Sequence, residues 1–291
     1  MTAAVRGKNR PMRGIVRSAR RPPGWVAPGP PPAPPPAHLA LGPRADEDLC
    51  YLTGDWRILQ RLDGHRWSLD DLVTAWVAAD ECAADPPPRI ADLGCGIGAV
   101  MLMMAWRFPR ARLVGVEAQD LSVDLARRSV MWNGIEARCE VRCGDLRDST
   151  IIPGAGRFDL VTGTPPYLRP GTATESQRPQ WGPCHFEHRG GIDAYCAAAA
   201  RVMAPDGRFV VCAAARDDAR MRAGAAAADL TIVRRLAVVP RAGKPALFAV
   251  YVLRRVSGTE QRSDPPLVVR DAYGDRTEAY QRLRRDMGMP P

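Results

Sequence analysis

Between Arg89 and Ala228 short apolar runs alternate with longer segments of helical spacing, and this alternation restricts the fold more than any other feature of the chain. Arg89–Leu93, Arg112–Val116, Cys139–Cys143, Arg157–Thr162 and Arg208–Ala213 read as strands. Ile97–Phe108, Leu121–Trp132, Gly191–Met203 and Asp217–Ala228 read as helices between them. Strands separated by helices predict a parallel sheet covered on both faces. Two last β-rich runs, Thr231–Val239 and Leu247–Arg254, are joined by Pro240–Ala246 and predict an antiparallel hairpin. The expected class is therefore α/β, a doubly wound, mostly parallel sheet ending in an antiparallel pair. Ser68 stands three residues before Asp71, the spacing of a capping box, and predicts a helix over 68–77.

The segment before this pattern has a different character. Residues 1–44 carry eleven prolines, most of them in the run from Pro28 to Pro36, and no periodic apolar pattern. Such a segment buries too little surface to offset its ordering entropy. Residues 1–48 are expected to be a disordered basic tail, 49–256 the folded domain, and 257–291 an extension packing on it. The first 45 residues hold eight basic side chains and no acid, so eight of the nine net positive charges sit there. The remaining 33 basic and 32 acidic groups balance. No apolar run approaches the roughly 20 residues that span a bilayer, so membrane embedding is not expected. Eight scattered cysteines without a Cys-x-x-Cys pair read as reduced, mostly buried thiols of a cytoplasmic protein, and no metal site is expected.

The strand Arg89–Leu93 runs into Gly94-Cys95-Gly96-Ile97-Gly98 and then a helix. Glycines there let the backbone turn tightly and approach a ligand at a helix N-terminus. The spacing is G-x-G-x-G with Asp92 before it, not the G-x-G-x-x-G of dinucleotide folds. Glu117 ends the second strand about 20 residues on, where a carboxylate can accept both ribose hydroxyls. Asp145 follows the third strand, where it could accept from an adenine amino group. Three acids after three strand C-termini mark the end of the sheet at which α/β proteins bind ligands.

After the fourth strand comes Thr164-Pro165-Pro166-Tyr167. An amine conjugated into a planar ring is a poor nucleophile, and acceptors for its two hydrogens localise its lone pair. A side-chain oxygen at the first position and a carbonyl before proline supply such acceptors. An aromatic at the fourth stacks on a base taken out of its helix, and two prolines stiffen the backbone between them.

With these motifs the chain resembles the class I S-adenosylmethionine-dependent methyltransferases, whose sheet is Rossmann-like and seven-stranded with a C-terminal antiparallel hairpin. Asp92–Gly98 is similar to their first motif, Val116-Glu117-Ala118 to the second, and Gly144-Asp145-Leu146 to the third. The resemblance implies S-adenosyl-L-methionine as cofactor, with Glu117 on its ribose, Asp145 on its adenine and the glycine loop on its methionine part. Thr164–Tyr167 resembles the Asn/Asp-Pro-Pro-Tyr/Phe motif of enzymes that methylate planar nitrogens, with Thr in place of Asn. The flanks Ile58–Asp70, Val239–Ala246 and Asp264–Val269 are similar to the bacterial tRNA(Val) adenine-N6 methyltransferases. That likeness covers roughly residues 49–285 and implies Trp67 near the cofactor and an adenine of tRNA as target. A guanine amine in ribosomal RNA, a protein glutamine amide, or a silent cofactor-binding scaffold are the alternatives. A monomer is the expected state.

Two other clusters have open readings. Arg234, Arg235, Arg241, Lys244, Arg254 and Arg255 on the hairpin either contact phosphates or form a solvated edge. Cys139 and Cys143 share one face of a strand and read as core.

Overall fold

The computed structural model describes residues 14–34, 41–152, 157–172, 174, 180–256 and 258–291. Its centre is a mixed sheet. The parallel strands are β4 (Arg89–Leu93), β5 (Arg112–Glu117), β6 (Cys139–Cys143), β7 (Phe158–Gly163) and β8 (Met203–Ala214); β9 (Thr231–Val239) and β10 (Phe248–Arg254) complete it. β10 inserts between β8 and β9, antiparallel to both, giving the order β9-β10-β8-β7-β4-β5-β6. The two-residue strands β11 (Arg262–Ser263) and β12 (Leu267–Val268) both pair with β9. The predicted parallel sheet and closing hairpin are both present, and β4 lies at the point where the winding reverses.

Helices cover both faces, as buried strands on a parallel sheet require. On one face α1 (Leu69–Glu81), α2 (Ala99–Arg107) and α3 (Asp120–Trp132) pack in a cluster with Leu72, Val77, Met101, Met103 and Leu125 at its heart. On the other, α5 (Ile192–Val202) and α6 (Asp218–Ala227) bury Cys196, Ala199, Val202 and Met221 against Phe209, Val211 and Tyr251. Of the C-terminal segment, α7 (Glu278–Asp286) puts Leu283 into the first cluster, and the Thr53 hydroxyl donates to the Met287 carbonyl at 2.7 Å.

Two additions precede α1. β2 (Glu47–Thr53) and β3 (Trp56–Arg61) form an antiparallel hairpin locked onto α3. Leu59 N–H donates to Ser129 Oγ at 3.0 Å, and Asn133 takes the Arg57 N–H at 2.9 Å while donating to its carbonyl at 2.7 Å. The segment 14–34, expected as part of a disordered tail, lies along this hairpin instead. Ile15–Val16 (β1) pairs in parallel with β2, Arg17 is paired with buried Asp48, and Arg21 bonds Asp55 at 2.6 Å. Trp56 Nε1 donates to the Pro30 carbonyl at 3.0 Å. The reason is that a proline-rich chain needs no core of its own when its carbonyls and arginines find donors and acids on a finished domain. Residues 1–13, with Arg6, Lys8, Arg10 and Arg13, and the end of the proline run, Pro35–Pro36, lie outside the described residues.

Candidate active site

The chain leaves β4 at Leu93 and turns through Gly94, Gly96 and Gly98 at φ of +60°, +54° and +89° before entering α2. Only glycine holds such angles without cost. A Cβ on Gly94 would fall 2.0 Å from the Tyr195 hydroxyl, whereas one on Gly96 would point into open space. Asp92 sits behind this turn. Its Oδ2 accepts the Met101 N–H of α2 at 3.1 Å and its Oδ1 the Thr162 hydroxyl at 2.8 Å. Burial pushes its carboxyl up to about 7, partly offset by those two hydrogen bonds.

Glu117 ends β5 facing the loop. Its Oε2 accepts the Gly96 N–H at 3.0 Å and its Oε1 the Gln119 N–H at 2.7 Å. Each oxygen keeps a lone pair for a further donor. Burial raises its pKa against the pull of these N–H groups. Asp145 lies after β6, clasped by Arg147, whose Nη2 and Nε donate at 2.6 and 2.9 Å, so its carboxyl lies below the usual range.

Thr164–Tyr167 follows β7, next in the sheet to β4. The Tyr167 hydroxyl donates to Asp70 Oδ2 at 3.0 Å and lies 3.1 Å from Cys212 Sγ of β8. Asp70 and Asp71 come from the first turn of α1. Asp71 caps that turn by accepting the Ser68 N–H at 2.9 Å, and its carboxyl is also hydrogen-bonded by the Thr164 hydroxyl.

These elements meet around one cavity of about 410 Å³ at the carboxyl ends of the strands. Gly94, Gly96, Glu117, Ala118, Asp145, Leu146 and all of Thr164, Pro165, Pro166 and Tyr167 line it. Among the expected site residues, Asp92, Gly98 and Trp67 do not. Asp92 and Gly98 shape the loop from behind. Trp67, expected beside the cofactor, lines a separate cavity of about 200 Å³ with Trp25, Tyr51 and Arg284. Its N–H is held by Gln60 Oε1 at 3.0 Å, and its ring packs on the first core cluster.

Several lining residues were not singled out from the sequence: His65, Gln119, Arg189, Tyr195 and Arg216, together with Asp70 and Asp71, which had been read only as a helix start. His65 and His185 meet edge to face at 5.8 Å on its wall, and burial lowers the His65 pKa. Two surface readings also change. Arg234 is buried in ion pairs with Asp80, Glu81 and Asp264, and Arg235 pairs with Asp218, so neither faces phosphates or solvent freely. Cys139 is core, but Cys143 is exposed, its thiol 3.0 Å from Asp120 Oδ1, because the last residue of β6 has left the helix cover.

Comparison with known proteins agrees with this geometry. Residues 79–178 match the methyltransferase small domain. The tRNA1(Val) (adenine(37)-N6)-methyltransferase of Dickeya chrysanthemi is 30% identical over 229 residues, covering 74% of this chain and 84% of that protein. The chain belongs to the small-domain methyltransferase family. The methyltransferase of the same name from Porphyromonas gingivalis is 30% identical over 143 residues, and there the chain spans about half of the relative's length, 54%. In three dimensions a predicted O-methyltransferase from Agrobacterium tumefaciens superposes with a TM-score of 0.60 at 20% identity, over 76% of this chain and 98% of that one. It shares the class I methyltransferase fold.

Members of this family use S-adenosyl-L-methionine, and the residues present in this methyltransferase fit it. The glycine turn leaves open space at Gly96 where any Cβ would intrude, and Glu117 keeps acceptor capacity at the same wall. The cavity volume is in the range of sites for ligands of this size, roughly 300–1,000 Å³.

Proposed function

We propose that this methyltransferase methylates an exocyclic adenine amine, N6, in tRNA. The observation that carries the reading is that the Thr164–Tyr167 tetrapeptide opens into the same cavity as the glycine loop, Glu117 and Asp145. S-adenosyl-L-methionine supplies, when bound, an electrophilic methyl group. Everything else falls to the chain. Gly94 and Gly96 give the methionine part close backbone approach, Glu117 accepts from the ribose, and Asp145, with Ala118 and Leu146 beside it, receives the adenine. Thr164 and the backbone carbonyls of the rigid Pro165-Pro166 turn accept the target amine's hydrogens, which raises electron density on its nitrogen. Tyr167 stacks on the unpaired base.

The relatives named as tRNA adenine methyltransferases support the nucleic-acid substrate, as do the acid-free first 45 residues. Among the described residues no helix is long and apolar enough to cross a membrane. A cytoplasmic, monomeric enzyme acting on RNA is consistent with these features. The test is transfer of tritium from labelled cofactor to a mixture of cellular RNA and protein. Label in N6-methyladenine of tRNA is the expected outcome. Label in protein glutamine or in a guanine amine, or no label at all, would each replace this reading.

A further inference from the structure

The tetrapeptide begins with Thr164, whose single hydroxyl is shorter than the carboxamide or carboxylate of the motif it resembles. The structure places a second polar group behind it. Asp71, 8% exposed, projects from α1 onto the wall shared by Thr164, and the Thr164 hydroxyl is its hydrogen-bond partner. Its other bond is to the Ser68 N–H at 2.9 Å. Asp70, one residue before, is already occupied by Ser68, the Asp71 N–H and Tyr167. A carboxyl so placed does more than start a helix, because an N-cap partner of this kind is ordinarily found at the solvent end of a helix rather than against a cavity.

We infer that Asp71 is a positioning residue for the transfer, which together with Thr164 replaces the missing Asn: the Thr164 hydroxyl donates to the Asp71 carboxylate and turns its lone pairs toward the target amine. This rests on the reading of the site as an amine methyltransferase. The arrangement also gives the surplus proton a route. The nitrogen–carbon bond forms as the sulfur–carbon bond of the cofactor breaks, leaving a thioether and a positively charged nitrogen. That nitrogen passes a proton to Thr164 Oγ while the Thr164 hydroxyl proton moves to Asp71. The carboxylate ends as a carboxylic acid, and solvent removes the proton through the open cavity.

The groups facing Asp71 are consistent with that role. Asp70 on its own helix and Asp92 of β4 contribute negative charge, Cys212 of β8 and Cys184 of the helix α4 (Trp181–His185) are held as neutral thiols by burial, and desolvation is the largest influence. Burial and these acids raise its pKa well above the ordinary value, against the Ser68 and Thr164 hydrogen bonds. A base of raised pKa is suited to receiving a proton near neutrality.

The test is a set of variants in the full chain. Asp71→Asn keeps an oxygen for the Ser68 N–H, so the helix start is preserved. It should lower kcat about 10²-fold, the scale of losing one preorganised hydrogen bond in the transition state, with KM for RNA and cofactor affinity nearly unchanged. The acid-side fall in the wild-type pH–rate profile should vanish with it. Thr164→Asn in the Asp71→Asn background should recover at least tenfold, since a carboxamide accepts the amine hydrogens without help. Equal kcat and an unaltered pH profile in Asp71→Asn, with wild-type enzyme methylating adenine, overturn the inference and leave the substrate reading standing. A wild type that methylates no adenine overturns the substrate reading and this inference with it. The contact itself has a readout without turnover: the infrared carboxyl band lost in Asp71→Asn should shift in Thr164→Val. A band that Thr164→Val leaves in place removes the pairing.

Discussion

Glu117 Oε2 accepts the Gly96 N–H at 3.0 Å, so the acid that ends β5 ties down the glycine loop that follows β4. The same carboxylate that is placed for the cofactor's ribose thus also sets the shape of the surface that receives its methionine part. Glu117→Ala removes both. Charged hydrogen bonds contribute about 1.5–3 kcal/mol each, so calorimetry should show S-adenosyl-L-methionine affinity reduced tenfold or more. Glu117→Gln, which keeps an acceptor for Gly96, should lose less. Equal losses in the two variants would mean that the charge alone matters and the loop bond does not.

Asp92 gives a pH-dependent prediction. Its folded pKa of about 7 lies above the ordinary 3.8, so the folded protein holds a proton there that the unfolded chain has released. That contribution to stability is complete below about pH 4 and is lost as pH rises from about 4 to 7. Asp92→Asn keeps an acceptor for Met101 and offers a donor to Thr162, with no charge to bury. Thermal melts should show wild-type Tm falling between pH 5 and pH 8 by more than that of Asp92→Asn, a difference on the order of a few kcal/mol at roughly 1.4 kcal/mol per pKa unit. Parallel curves would place the pH response elsewhere.

The central sheet was legible in the sequence because β4, β5, β7, β8 and β10 are buried apolar runs between helices of 3.6-residue spacing, and each strand end carries a functional residue. The β2–β3 hairpin was not. Its first strand is buried along almost its whole length, on both sides, so Glu47–Thr53 shows no alternation, and its acids Glu47 and Asp48 read as surface residues although they are 1% and 0% exposed. Their partners, Arg128, Arg17 and Arg66, lie 18 to 81 residues away in the chain. The strap of residues 14–34 was hidden for a related reason, since proline-rich composition reports the absence of a private core and not the presence of a docking surface. Within the site, the glycine loop and tetrapeptide have fixed local spacing and could be read. Asp70, Asp71 and Tyr195 reach the cavity only through the folding of α1 and α5 over the strand ends.

Arg128 and Glu47 provide a stability test of that hairpin. Arg128 Nη1 and Nη2 grip both carboxylate oxygens of Glu47 at 2.9 and 2.7 Å, and both side chains are almost fully buried. Removing one partner strands the other charge, a loss of about 3–5 kcal/mol for buried pairs. The Arg44 N–H, which also bonds Glu47 at 2.8 Å, should moderate it toward the lower figure. Denaturant unfolding of Arg128→Ala should show this loss. Replacing the exposed Arg222, which pairs with Asp218 across one helical turn, should cost less than about 1 kcal/mol.

Tyr167 separates base recognition from cofactor binding. Its hydroxyl is fastened to Asp70 at 3.0 Å, and its carbonyl accepts weakly from Arg216 at 3.4 Å, so the ring is fixed from both ends on the cavity wall. Stacking of an unpaired base on such a ring contributes roughly 1–3 kcal/mol, which corresponds to about a 5- to 150-fold loss on truncation. Tyr167→Ala should therefore lower turnover on RNA by that factor while S-adenosyl-L-methionine affinity, measured by calorimetry, stays within about twofold. Tyr167→Phe keeps the stacking face but releases Asp70, which then has Ser68 and the Asp71 N–H as its partners. It should keep most of the activity, with the remaining loss confined to kcat. If Tyr167→Ala weakened cofactor binding as much as turnover, the ring would belong to the cofactor pocket, and a different aromatic group would have to receive the base.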